Sequence, residues 1–201
     1  MKYIIMADGK ERRWQNYSGM HKWQIKIENE NLLERTVRLV HAYDANATII
    51  ITSHDKDINI DGATRYEPQN NKIEIDRFTW ELIDADTVFL YGDSFYTEDA
   101  IRIIAEAKTE SILFFGSEKR IFAIKIADEE LFRKHVQAVK EAFLQGKIKE
   151  CIGWQVYQSF QGLEFGKKQI ANNFILIRDG TCDFNEPTDY IEHLNKVKGM
   201  A

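Results

Sequence analysis

A chain of 201 residues, 44% of them hydrophobic and 12% aromatic, is long and apolar enough to bury a substantial core, which excludes a disordered chain. A formal net charge of −5 excludes the broad basic face of a nucleic-acid-binding protein. Cys151 and Cys182 lack C-x-x-C spacing, so neither a disulfide framework nor a zinc site is expected, and no apolar run approaches the ~20 residues of a membrane span.

The apolar start, Tyr3 to Met6, is too short for a signal peptide, which leads us to expect a cytoplasmic protein without membrane insertion. Instead it suits a strand covered on both faces. It opens into Ala7-Asp8-Gly9-Lys10-Glu11-Arg12-Arg13-Trp14, followed by Lys22 and Lys26. Asn31 caps a helix that begins at Leu32, and Ala47–Thr52 is a β-branched strand. Thr64–Glu67 is a third short strand, Ile73–Leu82 a helix, and Thr87–Tyr91 a strand closed by Gly92-Asp93. A helix over Thr97–Ala107 precedes strands at Ser111–Phe115 and Ile121–Ile126, and Asp128 caps a long helix reaching Gln145. Trp154–Phe160 has no clear assignment; Phe174–Ile177 is a strand and Pro187–Val197 the last helix. Strands alternating with helices predict a mostly parallel sheet with helices on both faces, in a single domain over residues 1–201.

Several stretches suit anion or metal chemistry, each beside a plainer alternative. A glycine and clustered cations at the carboxyl end of a strand suit a triphosphate, or an ordinary solvated turn. Asp93, just past a buried strand, suits Mg²⁺ or the cap of the next helix. Asp183-Phe184-Asn185-Glu186-Pro187 suits a second oxygen ligand or a cap before Pro187. The amides and carboxylate of Glu67-Pro68-Gln69-Asn70-Asn71 suit a base edge or ribose, or a simple loop. Lys119, Arg120, Lys125, Lys167 and Lys168 suit a second anion, or solvent. Asp84-Ala85-Asp86 precedes its strand and so belongs to the opposite sheet edge. Trp154, Tyr157 and Phe160 at helical spacing suit the core more than a cage for a quaternary ammonium.

Met6 to Trp14 resembles the L-A-A-G-x-G-x-R-[MFLW] signature of nucleotidyltransferases with the GT-A-type fold. His21-Lys22 falls where that family has Pro-Lys, Asn31–Thr36 resembles its K-P-L-L-E-R-T helix start, Phe89–Asp93 its strand ending in a metal-binding Asp, and Asp183–Tyr190 its D-I-D-T-P-E-D-Y pattern. The matches keep their order from end to end. The resemblance implies a three-layer αβα, Rossmann-like fold with a mixed, mainly parallel sheet. It also implies transfer of a nucleoside monophosphate from an NTP to a small phosphorylated acceptor with release of pyrophosphate.

In that reading Ala7, Asp8, Gly9, Lys10, Glu11, Arg12, Arg13 and Lys22 hold the nucleotide, helped by Glu67, Asn70 and Asp93. Arg13 and Lys22 carry the catalysis, Asp93, Asp183 and Asn185 hold Mg²⁺, and Lys119, Arg120 and Lys168 receive the acceptor. The Arg13-Trp14 ending and the small size resemble the cytidylyltransferase branch, implying CTP and a role in capsule or cell-envelope precursor synthesis. The alternatives are a sugar-1-phosphate or molybdenum-cofactor enzyme with another NTP, or a catalytically weak nucleotide-binding homologue. The chain departs from the pattern at Asp8 (a small apolar residue in the family), Glu11 (the second glycine) and Asn185 (the metal Asp). Glu11 either points away from the site or joins the metal, and Asp8 is a candidate to face the ribose or base.

Overall fold

The computed structural model describes residues 1–199 other than 12, 15, 16 and 168. Its elements in chain order are strand β1 (Lys2–Met6), β2 (Lys26–Ile27), β3 (Glu30–Asn31), helix α1 (Leu32–Tyr43), β4 (Thr48–Thr52), β5 (Thr64–Tyr66), β6 (Thr87–Tyr91), β7 (Ser94–Phe95), α2 (Glu98–Glu106), β8 (Ile112–Gly116), β9 (Ile121–Ile126), α3 (Glu129–Leu144), α4 (Gly153–Gln161), β10 (Phe174–Leu176), β11 (Cys182–Asp183) and α5 (Pro187–Gly199).

The main sheet has seven strands in the order β10-β8-β9-β6-β1-β4-β5. β1 runs parallel to both neighbours, with Ile4 opposite Ile50 on β4 and Phe89 on β6. Within this sheet β9 is antiparallel to the strands beside it and the rest run parallel, so the mostly parallel sheet expected from the alternation forms, with the mixed character that the resemblance implies. Side chains alternate between the faces of a strand. Tyr3 and Ile5 therefore enter one core with Val37 and Val40 of α1 and Ile101 and Ile104 of α2. Ile4 and Met6 enter the other with Phe132 and Val136 of α3 and Val156 and Tyr157 of α4. The result is a three-layer αβα arrangement.

The chain leaves β1 toward β4 and β5, then returns to the other side of β1 to form β6. Such a reversal opens a crevice beyond the carboxyl ends of the central strands. β9 runs the opposite way, so its start at Ile121 and the loop after Gly116 reach the same edge. A third, smaller cluster lies under this edge: Trp14, Ile25, Ile27, Leu32, Phe95 and Phe184. It joins the opening loop to the late turn, segments about as far apart in sequence as the chain allows.

Local capping resolves some of the alternatives. Asn31 and Glu34 form a reciprocal box at the start of α1, each side chain accepting the other's backbone N–H at 2.9 and 2.8 Å. Thr97, not Asp93, caps α2, accepting the Ala100 N–H at 3.1 Å. At α5 the Asp189 carboxylate accepts the N–H groups of Asn185 and Glu186, each at 2.8 Å, leaving the Asn185 side chain free of that duty.

One expectation needs correction. Residues 73–82 form two 3₁₀ turns, Glu74–Phe78 and Trp80–Leu82, instead of a helix. Thr79 between them has φ +35°, which breaks the run, and Asp76 caps the first turn by accepting the Lys72 and Ile73 N–H groups at 3.1 Å each. The unassigned stretch at 154–160 is α4, whose Trp154, Val156 and Tyr157 are buried. Asp84 lies at the amino end of β6, where Lys2 pairs with it, on the edge opposite the crevice.

Candidate active site

Gly92 brings the exits of β1 and β6 together. A Cβ at this position would stand 2.8 Å from the Met6 carbonyl oxygen and 3.2 Å from Ala7, and the Gly92 N–H donates to that carbonyl at 3.0 Å. Only glycine permits so close an approach. The next residue, Asp93, thereby arrives beside the opening loop. Together with the loop after β8 and the turn after β11, these segments enclose a cavity of about 380 Å³.

Lys22, which the fold buries, extends its Nζ to 3.2 Å from Asp93 Oδ2. Its position is held by Glu11, whose Oε1 accepts the Lys22 N–H at 2.9 Å while Oε2 lies 3.2 Å from His21 Nδ1. Glu11 has φ +44°, a left-handed conformation that favours glycine. The same backbone shape that suits a glycine is thus kept here by a carboxylate with two partners. Trp14 is fully buried and donates its indole N–H to the Met20 carbonyl at 2.8 Å, so the aromatic end of the motif anchors the loop from below. Arg13 stays exposed above it, donating to Asn185 Oδ1 at 2.8 Å, with Glu186 at 3.7 Å.

Asp8 does not face open space. Its carboxylate accepts the His54 N–H at 2.9 Å, meets His54 Nδ1 at 2.8 Å, and accepts Asn71 Nδ2 at 2.6 Å. The loops after β1, β4 and β5 are tied together at this one side chain.

Oxygen donors gather at the opposite wall. Burial raises the Asp183 carboxyl above its ordinary range; Arg120, whose Nε is 3.4 Å away, opposes this, and the negative charge of Asp93 adds to it. Asn185 Nδ2 donates to the Asp183 carboxylate. Among the described residues no group of three or more His, Cys, Asp or Glu side chains is arranged to hold a metal ion. The available set is two carboxylates and one amide oxygen.

Gly9, Lys10, Glu11, Arg13, Lys22, Asp93, Lys119, Arg120, Asp183 and Asn185 all line the cavity. Ala7 adjoins it through a small pocket shared with Gly9, Lys22 and Asp93. Arg12 and Lys168 lie outside the described residues. Glu67 and Asn70 line neither the cavity nor the recess beside it: Glu67 approaches Arg65 at 3.6 Å, and Asn70 borders a separate groove with Asp76 and Lys140. The neighbouring Asn71 is the amide that points inward, into a contiguous recess of about 480 Å³. Lys125 is not an anion ligand, because its Nζ donates to the carbonyls of Ile104 and Ala105 at 3.2 and 3.0 Å, and to that of Ala107, at the end of α2. Lys167 pairs with Glu164 at 2.6 Å. Tyr157 and Phe160 pack into the core and form no cage, while Trp154 touches the cavity and donates its indole N–H to the Lys119 carbonyl at 3.0 Å.

Arg77 and Gly153 escape sequence reasoning. The Arg77 guanidinium lies 5.6 Å from the centre of the Tyr91 ring and 3.8 Å from where a Cβ on Gly9 would sit. Within residues 73–82 nothing marks it as more than the partner of Glu74. A Cβ on Gly153 would come within 2.5 Å of the Tyr91 hydroxyl, so this glycine lets α4 close over the cavity.

No protein-family model and no curated relative matches the sequence. Solved structures do match it over nearly their whole length. The CTP:phosphocholine cytidylyltransferase of Streptococcus pneumoniae is 12% identical, with 98% of each chain covered and a TM-score of 0.58. The 2-C-methyl-D-erythritol 4-phosphate cytidylyltransferase of Thermus thermophilus is 12% identical over 98% of each chain, at 0.59. A UDP-glucose pyrophosphorylase complexed with UDP-glucose is 12% identical over 100% of this chain and 99% of its own, at 0.63. At such identities the likeness speaks for the architecture alone: the chain shares the three-layer αβα fold of these nucleotidyltransferase structures.

Proposed function

We propose that this chain transfers a nucleoside monophosphate, CMP from CTP, to a small phosphorylated acceptor and releases pyrophosphate. The observation that carries the reading is convergence. Gly9, Lys10, Glu11 and Arg13 of the opening loop, Lys22, Asp93, and Asp183 and Asn185 of the late turn, brought from four separate stretches of sequence, line one cavity at the switch point of the sheet. Cytidylyl transfer is supported by the Arg13-Trp14 ending of the first motif and by the two cytidylyltransferases among the similar structures. A role in capsule or cell-envelope precursor synthesis extends the same reading.

The acceptor phosphate attacks the α-phosphorus in line. A new P–O bond forms as the bond to the β-bridging oxygen breaks, and its electron pair leaves with pyrophosphate. Charge builds on the α-oxygens and the leaving group, so positioned countercharge supplies most of the catalysis and no protein nucleophile is needed. Lys10, Arg13 and the loop N–H groups meet the β- and γ-phosphates, Lys22 the α-phosphate, and Lys119 and Arg120 the acceptor phosphate. Asp93, Asp183 and Asn185 Oδ1 would hold Mg²⁺, a hard cation suited to oxygen donors. They fit it because the partly buried Asp183 faces the charge of Asp93, a pairing that a divalent cation relieves. Bound there, the ion supplies countercharge to phosphate oxygens.

A thermal-shift screen of the four NTPs with Mg²⁺ tests binding, since selective ligands stabilise the native state. A pyrophosphate-release assay with candidate phosphorylated acceptors then tests turnover. Arg13→Ala and Lys22→Ala should each abolish release. Full turnover in both variants, or no stabilisation by any NTP, overturns the proposal.

A further inference from the structure

The recess beside the cavity has a different chemistry from the cavity itself. Lys10 and Arg13 line both spaces, whereas Asp93 and Asp183 line only the cavity, and Asp8 and Asn71 only the recess. Ile73, Phe143 and Ile152 give the otherwise charged recess an apolar patch, beside Lys72, Lys149 and Glu150. On the reading proposed above, a nucleotide whose phosphates rest on Lys10 and Arg13 places its base beyond them, away from Asp93 and Asp183. A flat heterocycle needs an apolar patch and a polar edge, which the recess provides.

The polar edge has a fixed sense. Asn71 Nδ2 lies 2.9 Å from the Asp8 carbonyl oxygen and 2.6 Å from Asp8 Oδ2. Both partners are acceptors, so the nitrogen of the amide must face them and the oxygen must face the other way. Asp8 is itself held from the far side by the His54 N–H and ring. Asn71 Oδ1 has no partner among the described residues, and it belongs to a side chain that lines the recess.

We propose that Asn71, oriented by Asp8, is a specificity-determining residue that accepts a hydrogen bond from the exocyclic amino group of the donor's base. Cytosine and uracil have nearly the same shape, so size cannot separate them. At C4 cytosine presents an N–H donor, while uracil presents a second acceptor oxygen opposite Asn71 Oδ1. The amino base gains a bond; the keto base brings two acceptors face to face and leaves both unpaired. Asp8, an acidic residue where the resembling signature has a small apolar one, then acts as a positioning residue that keeps the amide from turning over.

Calorimetric titration of CTP and UTP with Mg²⁺ into the wild type, Asn71→Ala and Asp8→Asn tests this. The wild type should prefer CTP by roughly tenfold or more. Asn71→Ala should bind the two nucleotides about equally. Asp8→Asn removes one of the two acceptors that orient the Asn71 amide and leaves the Asp8 backbone carbonyl, so the CTP-to-UTP ratio should fall to a value between those of the wild type and Asn71→Ala while binding persists. Melting curves establish that each variant is folded, and Asn71→Ala alone suffices if Asp8→Asn is not. A wild type without preference, or a preference surviving Asn71→Ala, overturns the assignment while leaving nucleotide binding intact. Failure of every NTP to bind overturns the donor reading and this inference with it.

Discussion

Glu11 offers a test in which two effects of opposite sign can be separated. Its backbone sits at φ +44°, which costs a residue with a Cβ about 1–2 kcal/mol. Its carboxylate accepts the Lys22 N–H at 2.9 Å, and a hydrogen bond to a charged group contributes about 1.5–3 kcal/mol. The His21 contact, between side chains 58% and 23% exposed, adds at most about 1 kcal/mol. Glu11→Ala removes the bonds and keeps the strain, so it should lose about 2 kcal/mol. Glu11→Gly removes the same bonds but relieves the strain. At an ordinary backbone position glycine is the worse choice by about 0.4–1 kcal/mol, because of the freedom it gives the unfolded chain. Here the order should reverse, with the glycine variant about 0.5–1 kcal/mol more stable than the alanine variant. Urea unfolding of all three proteins at matched slope reads the difference from the midpoints. An alanine variant as stable as the glycine variant refutes the backbone argument; two variants as stable as the wild type refute the role of the Lys22 bond.

The other expectations concern the supports of the site. Burial would raise the Asp76 carboxyl, but the Lys140 ammonium and the Ile73 and Lys72 N–H groups outweigh it and hold it below its usual value of 3.8. A depressed carboxylate stabilises the fold above that value and loses its contribution as pH falls through the folded one. Asp76→Asn should therefore cost about 1–2 kcal/mol near pH 7, and in acid unfolding its deficit should shrink below about pH 4; a constant deficit contradicts the ion pair. Gly153→Ala would force a Cβ to 2.5 Å from the Tyr91 hydroxyl, so about 1–3 kcal/mol should be lost together with NTP affinity, measured by denaturation and titration. Trp14→Ala empties a fully buried site; about 3–5 kcal/mol in chemical denaturation is expected, and a smaller loss would mean that the loop packs independently of the core.

The legible parts of this protein were those written in local pattern. β1, β4, β6 and β8 are largely apolar runs because both of their faces are covered, and Asn31 and Asp128 cap helices with their own side chains. Residues 73–82 misled because their helical spacing is interrupted at Thr79, whose φ is +35°. Asp76 is committed to the Lys72 and Ile73 N–H groups and, across 64 positions, to Lys140 at 2.7 Å. The left-handed Thr79 separates the segment into two 3₁₀ turns, and Arg77 of the first lines the cavity.

The opening strand, its glycine-bearing loop and the cations Lys10, Arg13 and Lys22 follow from the sequence alone, because backbone shape and charge are local properties. The uses of Asp8 and Glu11 do not. Both carboxylates look available for a ligand in the sequence, and both are taken by the protein: Asp8 by His54 and Asn71, Glu11 by His21 and Lys22. Which amide faces the recess was likewise settled by Asp8, 63 positions away, which fixes Asn71 and leaves Asn70 to another groove. A polar side chain takes its partner from whatever the fold brings within about 3 Å, and partners that distant along the chain leave no mark in local spacing.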